Sequence, residues 1–397
     1  MVAIRYPLFL TAGFRFFFLG AGLWALLAMA LWLFWLAGSA AGWSASVEFG
    51  VVPSLWHAHE MVFGYAIAVV AGFFLTAVPN WIGDGSAPAR FVTAVGTLWV
   101  VGRLAMLLAG SLNPFLVFVL DMMFLPVLTV RLARSLIRHP KSQNMLFLLL
   151  LVLAILGNLL MHAEWTGLLD GHAGAGLRMA LYSALAMMVL IGGRVVPAFT
   201  RGALMRKDPR ARLPVHRDWA DRLSIYAAIL VAALLGFGLS GWPLAVASLA
   251  AFAGNAVRLS GWRSLAVLRD PLLWSLHLGF LLLVLSYLAL ALGALVDWPR
   301  EIAALHLAGA GAIGVMTLAM MTRASLGHTG RPLVAPAPAV AAYVLVAISA
   351  VLRVGTDSLP GWAYFPAIFA AGGFWIAAFS AYLTAYLPIL AGPSARA

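Results

Sequence analysis

Apolar residues run in stretches of about 20 along almost the whole chain, the length a helix needs to cross the roughly 30 Å hydrocarbon core of a bilayer. Short polar segments separate them. The pattern predicts an all-α, polytopic membrane bundle of about twelve transmembrane helices. In the first half the helices are centred on residues 16–38, 59–79, 91–111, 114–133, 145–162 and 177–199, and in the second on 223–240, 242–259, 272–295, 302–322, 337–352 and 363–387. Loops are short, so sequential neighbours should pack together. The sequence reads as a single integral-membrane domain over 1–397.

Composition supports this pattern. The chain is 64% hydrophobic and 10% charged with a mean hydropathy of +1.00, which excludes a soluble globule whose surface must be substantially polar. A net charge of +12 would point to nucleic acid in a soluble protein. Here the basic residues gather in connecting loops and follow the positive-inside pattern, so nucleic acid is not the expected partner. Arg131, Arg134, Arg138 and Lys141 follow the fourth helix, Arg201, Arg206, Lys207, Arg210, Arg212 and Arg217 the sixth, and Arg258, Arg263 and Arg269 the eighth. Those loops should face the cytoplasm, with both termini on the same side. Loops 39–55 and 163–176 hold almost no Lys or Arg and should face outward. Arg5, Arg15 and the stretch Gly38-Ser39-Ala40-Ala41 resemble a signal peptide, but the apolar run exceeds the usual 7 to 15 residues of such a segment, so it is expected to remain as the first span.

Ionisable side chains at membrane depth are functional candidates, because lipid offers no water to offset their desolvation. With the orientation above, His57 and His59 enter from outside in Trp56-His57-Ala58-His59-Glu60-Met61, His162 closes the fifth helix, and His306 opens the tenth. Imidazole is the commonest ligand for Zn, Cu and haem iron, and segments far apart in sequence can converge at one depth in a bundle. These four form an expected outer metal or haem site. His57 and His59 are about 200° apart on a regular helix, so one is expected as a ligand while its neighbour supports it. Glu60 could orient an imidazole, and Asn158 lies one turn before His162 on the same face.

His277 and His328 could form a separate inner site, although His328, in Gly327-His328-Thr329-Gly330-Arg331, also reads as a solvated loop residue. His139, His172 and His216 fall in polar loops. Arg103 and Asp121 sit at similar depth on adjacent antiparallel helices and should pair, either structurally or along a proton path. Arg194 and Arg323 lie near inner helix ends, where they either snorkel or clamp a haem propionate bidentately. Cys 0 leaves His, Met, carboxylate and backbone groups as the available metal ligands. Gly192, Gly193, Gly309, Gly311 and Gly314 narrow two helices for close approach of a neighbour or a flat macrocycle, flanked by Met316, Met320 and Met321, for which packing outweighs copper ligation. Gly64 follows His59 at the spacing at which Gly311 follows His306, which permits an internal duplication.

These residues together resemble the NnrS family of bacterial inner-membrane haem and copper proteins associated with nitric oxide stress. The likeness is carried by Trp56-His57-Ala58-His59-Glu60-Met61, by Gly72-Phe73-Phe74-Leu75-Thr76-Ala77-Val78-Pro79-Asn80-Trp81, by Gly192-Gly193-Arg194-Val195-Val196-Pro197-Ala198-Phe199-Thr200, and by Gly311 through Arg331. One departure is Phe16 after Arg15, where the family motif has proline. The resemblance implies a multi-pass inner-membrane protein that binds haem b and copper, acts on nitric oxide or a related small molecule, and sits among membrane lipids. It supplies no reaction. The expected ligands are His57, His59, His162 and His306, then His277 and His328. Rival readings are a nitric oxide reductase-like or quinol-linked oxidoreductase, for which the adjacent His-His pair is absent, and a transporter or sensor with Arg103 and Asp121 in its pathway.

Overall fold

The computed structural model describes residues 6–43, 48–83, 85–138, 140, 142–296 and 298–395, so Arg5, His139 and Lys141 lie outside the described residues. Twelve helices are long and apolar enough to cross a membrane, and no strand occurs among the described residues. They are α1 Gly13–Ala40, α2 Pro53–Ile82, α3 Ala89–Leu107, α4 Pro114–Arg138, α5 Asn144–Trp165, α6 Ala173–Lys207, α7 Asp218–Gly236, α8 Trp242–Ser260, α9 Pro271–Val296, α10 Glu301–His328, α11 Ala337–Ser358 and α12 Gly361–Ala391.

Local chemistry sets several ends. Pro53 opens α2 in the first turn, where its missing N–H costs nothing, and Gly83 closes it in the left-handed conformation at φ 73°. The Asn113 side chain accepts from the Phe115 N–H and Pro114 comes next, so α4 begins on a capped turn. Two helices are irregular: residues Glu60–Ala66 of α2 and Leu307–Ile313 of α10 are π-helical, and each segment begins directly after a histidine, His59 or His306. A π segment takes up an extra residue per turn and rotates the side chains beyond it about the helix axis, and such segments recur at functional sites.

The chain divides into two compact units. The first holds Met1–Leu177, Ala324–Pro332 and Phe379–Ala397, hence α1 to α5 and the end of α12. Within it Gly72 lets α2 press on the Phe17 and Phe18 side chains of α1, since an added Cβ would lie 2.9 Å from the Phe18 ring. Buried Arg15 caps the last helix. Its Nη1 donates to the carbonyls of Ile389, Leu390 and Gly392 at 3.2, 2.8 and 2.7 Å, and its Nη2 to Ser394 Oγ at 3.0 Å. Arg15→Ala is expected to cost about 2–3 kcal/mol by orphaning these carbonyls, visible as a lower Tm in detergent.

The second unit holds Arg178–Arg323 and Leu333–Ala378. Here Gly254 brings α8 against the Ser224 backbone of α7, and Gly279 brings α9 against the Met316 backbone of α10, with an added Cβ 2.8 Å from backbone nitrogen in both cases. Met316, Met320 and Met321 are buried as packing residues. The structure corrects two expectations. His328 ends α10 rather than sitting in a loop beyond it, although it is exposed. Arg258 is not a loop charge: it is buried in the last turn of α8, paired to Asp221 at 2.5 Å, and its Nη1 donates to Ser224 Oγ, Asn255 Oδ1 and the Val189 carbonyl at 3.0, 2.9 and 3.2 Å.

Candidate metal centre

Four helices of the first unit aim polar side chains at one buried point. α2 supplies His59 and Glu60 where its π segment starts, α3 supplies Arg103, α4 supplies Asp121, and α5 supplies Asn158 and His162 one turn apart. All six are buried, His59 and Glu60 completely so. Asp121 is the hub. Its Oδ2 accepts from Asn158 Nδ2 at 2.8 Å and from His162 Nε2 at 2.9 Å, and lies 3.3 Å from His59 Nε2, while Arg103 Nη2 donates to its Oδ1. Glu60 Oε1 is a second anchor, 2.9 Å from His59 Nδ1 and 2.5 Å from Arg103 Nη1.

The pattern of acceptors fixes protons. His59 Nδ1 faces a carboxylate, and its Nε2 faces Asn158 Oδ1 at 2.9 Å, because the Asn158 amide nitrogen is turned to Asp121. Both ring nitrogens therefore donate, so this arrangement holds His59 as an imidazolium. Glu60 and Asp121 are then balanced by Arg103 and His59, which is how a charged group survives at this depth. Aromatic rings close the surroundings: Trp165 lies edge-on to His59 and His162 at 5.4 and 5.1 Å, Phe63 is 4.8 Å from His59, and Phe118 is 5.5 Å from His162.

One ligating atom each from His59, Asp121 and His162 lie within 4.8 Å of one another. A tetrahedral ion with bonds of about 2.0–2.1 Å holds its ligands roughly 3.3 Å apart, so the 3.3 and 2.9 Å separations from Asp121 Oδ2 need only small shifts to accept one. The N, N, O donor set suits a divalent first-row metal such as copper or zinc.

His57 does not face this point. It is half-buried, and its ring stacks on Trp32 at 4.7 Å between centroids. His306 belongs to the second unit, half-buried, with Nδ1–H donating to the Ile302 carbonyl at 2.7 Å and no hydrogen bond at Nε2 among the described residues. His277, also in the second unit, is buried with Thr200 Oγ1 on Nε2 and Ser264 Oγ on Nδ1, both at 2.9 Å. His328, in the first unit, lies 5.3 Å from the Phe14 ring. Arg194 is half-buried and Arg323 buried against Phe199. Among the glycines, Gly193 makes room for the Arg258 guanidinium and Gly314 for the Trp375 ring, whereas a Cβ on Gly309 would meet only Leu181, at 3.9 Å. Sequence reasoning found the Arg103–Asp121 pair and four outer histidines, but not that only His59 and His162 of the four join that pair in one cluster. It also missed an exposed group, His216 with Asp218 and Asp221, each 2.9 Å away.

A family model described as NnrS protein matches residues 8–394, nearly the whole chain. No curated protein matches the sequence.

Proposed function

This chain belongs to the NnrS family, and from that premise we propose a bacterial inner-membrane protein that holds copper at His59, His162 and Asp121, holds haem b through His306, and relieves nitric oxide stress. The basic loops and both termini then face the cytoplasm. One observation carries the reading: two imidazoles and a carboxylate from three helices bring their ligating atoms within 4.8 Å in a buried cluster whose carboxylates face Arg103 and His59. In this reading Glu60 holds the His59 ring by its Nδ1–H, Arg103 balances the two carboxylates, and Asn158 fixes the Asp121 oxygen that faces both histidines.

His306 would hold haem iron through Nε2, because its Nδ1–H is spent on a backbone carbonyl and the Nε2 lone pair is left to ligate. When bound, haem iron or copper with an open coordination position supplies an electrophilic centre for nitric oxide.

Metal analysis and optical spectra of the purified protein test this. His59→Ala and His162→Ala should each lose copper by more than tenfold in affinity, His57→Ala and His277→Ala should retain it, and His306→Ala should lose the Soret band while keeping copper. Wild-type copper and haem in all of these variants would sink the assignment. Copper must also displace the His59 Nε2 proton. Apparent affinity should therefore rise about tenfold per pH unit, and weaken on acidification, over the range in which metal-free His59 keeps both protons, measured by competition with a chelator. A protein without metal whose proton or substrate flux depends on Arg103 and Asp121 would instead be a transporter.

A further inference from the structure

Among the described residues, Arg323 in the second unit is a buried cation without an ion-pair partner. Near the end of α10 it is 7% exposed, its guanidinium lies 4.0 Å over the Phe199 ring of α6, and its Nε has no hydrogen-bond partner there. Asp270, the acidic group that acts on it electrostatically, spends its Oδ1 on the Leu272 N–H at the start of α9. Tyr343, the other neighbour, is bonded to Thr322 Oγ1 at 2.5 Å. A second cation, Arg206 in the last turn of α6, acts on the same spot. A face-stacked guanidinium recovers part of its lost hydration from the ring, but its N–H fork still needs acceptors, and leaving a buried charge unpaired is among the largest single penalties a fold can carry. Compare Arg258 in the same unit, which has Asp221 and three further acceptors.

We infer that Arg323, supported by Arg206, is the anchor of an anion site that takes the carboxylate or phosphate oxyanion of a membrane-embedded amphiphile. The planar fork matches two oxygens of either group, and the Phe199 face holds the fork in one plane. Arg323 lies near the end of α10, with Arg206 and Lys207 in the last turn of α6, and basic pockets between the ends of spanning helices are known lipid-headgroup sites. The inference stands apart from the copper centre, which uses none of these residues.

The test uses the full chain, purified and stripped of lipid and pigment, as wild type, Arg323→Met and Arg323→Lys. Vesicles of dioleoylphosphatidylglycerol, vesicles of dioleoylphosphatidylcholine, and haemin are added separately, with Tm and binding as readouts. Without a probe, Arg323→Met should be at least as stable as wild type, since it removes an unpaired charge and keeps an apolar stem on Phe199. Wild type should gain Tm with phosphatidylglycerol or with haemin but not with phosphatidylcholine. Arg323→Met should bind the active probe at least tenfold more weakly, and Arg323→Lys should fall between. A phosphatidylglycerol response that Arg323→Met weakens assigns a lipid phosphate, and a haemin response that Arg323→Met weakens while the phosphatidylglycerol arm stays silent assigns a tetrapyrrole carboxylate. Equal binding by wild type and Arg323→Met in every arm, or a probe-free Arg323→Met less stable than wild type, would overturn the site. The tetrapyrrole arm rests on the haem reading: copper retention at His59 is unaffected in either case, and a His306→Ala control in the haemin arm separates loss of the iron ligand from loss of the Arg323 contact, so the two proposals fail distinguishably.

Discussion

Replacing Asp121 by alanine is expected to destabilise the protein by about 3–5 kcal/mol, because Arg103 loses the carboxylate that meets its Nη2 and the buried cluster is left with excess positive charge. His162 and Asn158 lose their common acceptor in the same step. The balance of the cluster gives a sharper form of this expectation. In Arg103→Met/Asp121→Leu one charge of each sign is removed, and Glu60 still faces His59 at 2.9 Å. The double variant should therefore recover a large part of the lost stability while staying free of copper, as read by thermal unfolding and metal analysis side by side. A double variant no more stable than Asp121→Ala would show that the penalty comes from packing, not from an orphaned charge.

Gly193→Val is expected to cost about 3 kcal/mol or more. The space a Cβ would need on α6 is filled by the Arg258 guanidinium, which lies 5.7 Å from both the Trp262 and Phe280 rings. The new side chain must expel that group, which strains the packing and breaks the 2.5 Å pair with Asp221. Gly202→Ala on the same helix is the control. An added Cβ there meets only the flexible end of Arg206, at 3.5 Å, so the higher helix propensity of alanine should leave stability unchanged or slightly raised. Thermal unfolding of both variants separates a glycine required by a buried cation from one that is merely tolerated.

The stretch containing Gly192 and Gly193 illustrates what a sequence leaves open. Two small residues announce close approach, yet a neighbouring helix, a flat ligand and an arginine side chain all satisfy that requirement, and only the packed structure shows Arg258 there. Arg258 itself was hidden for a related reason. It stands at the end of an apolar run among other basic residues, so charge pattern alone places it with the loop, whereas its environment depends on Asp221 from the preceding helix. The pairing of Arg103 with Asp121 was legible because both interrupt apolar runs at similar depth. Its union with His59 and His162 was not, because α2 begins at Pro53 and α5 runs on to Trp165, which carries both histidines deeper than the predicted span ends did.

Chain order and hydropathy thus determined how many helices are long and apolar enough to cross a bilayer and where the chain turns between them, because length against a fixed hydrocarbon thickness is a one-dimensional constraint. The direction each side chain takes around its helix was decided by the tertiary structure. In a helix apolar on every side no periodic stripe records which face points inward, and the π segment after His59 changes the phase again. That is why His59 rather than His57 meets Asp121, although the two histidines are equally prominent in the sequence.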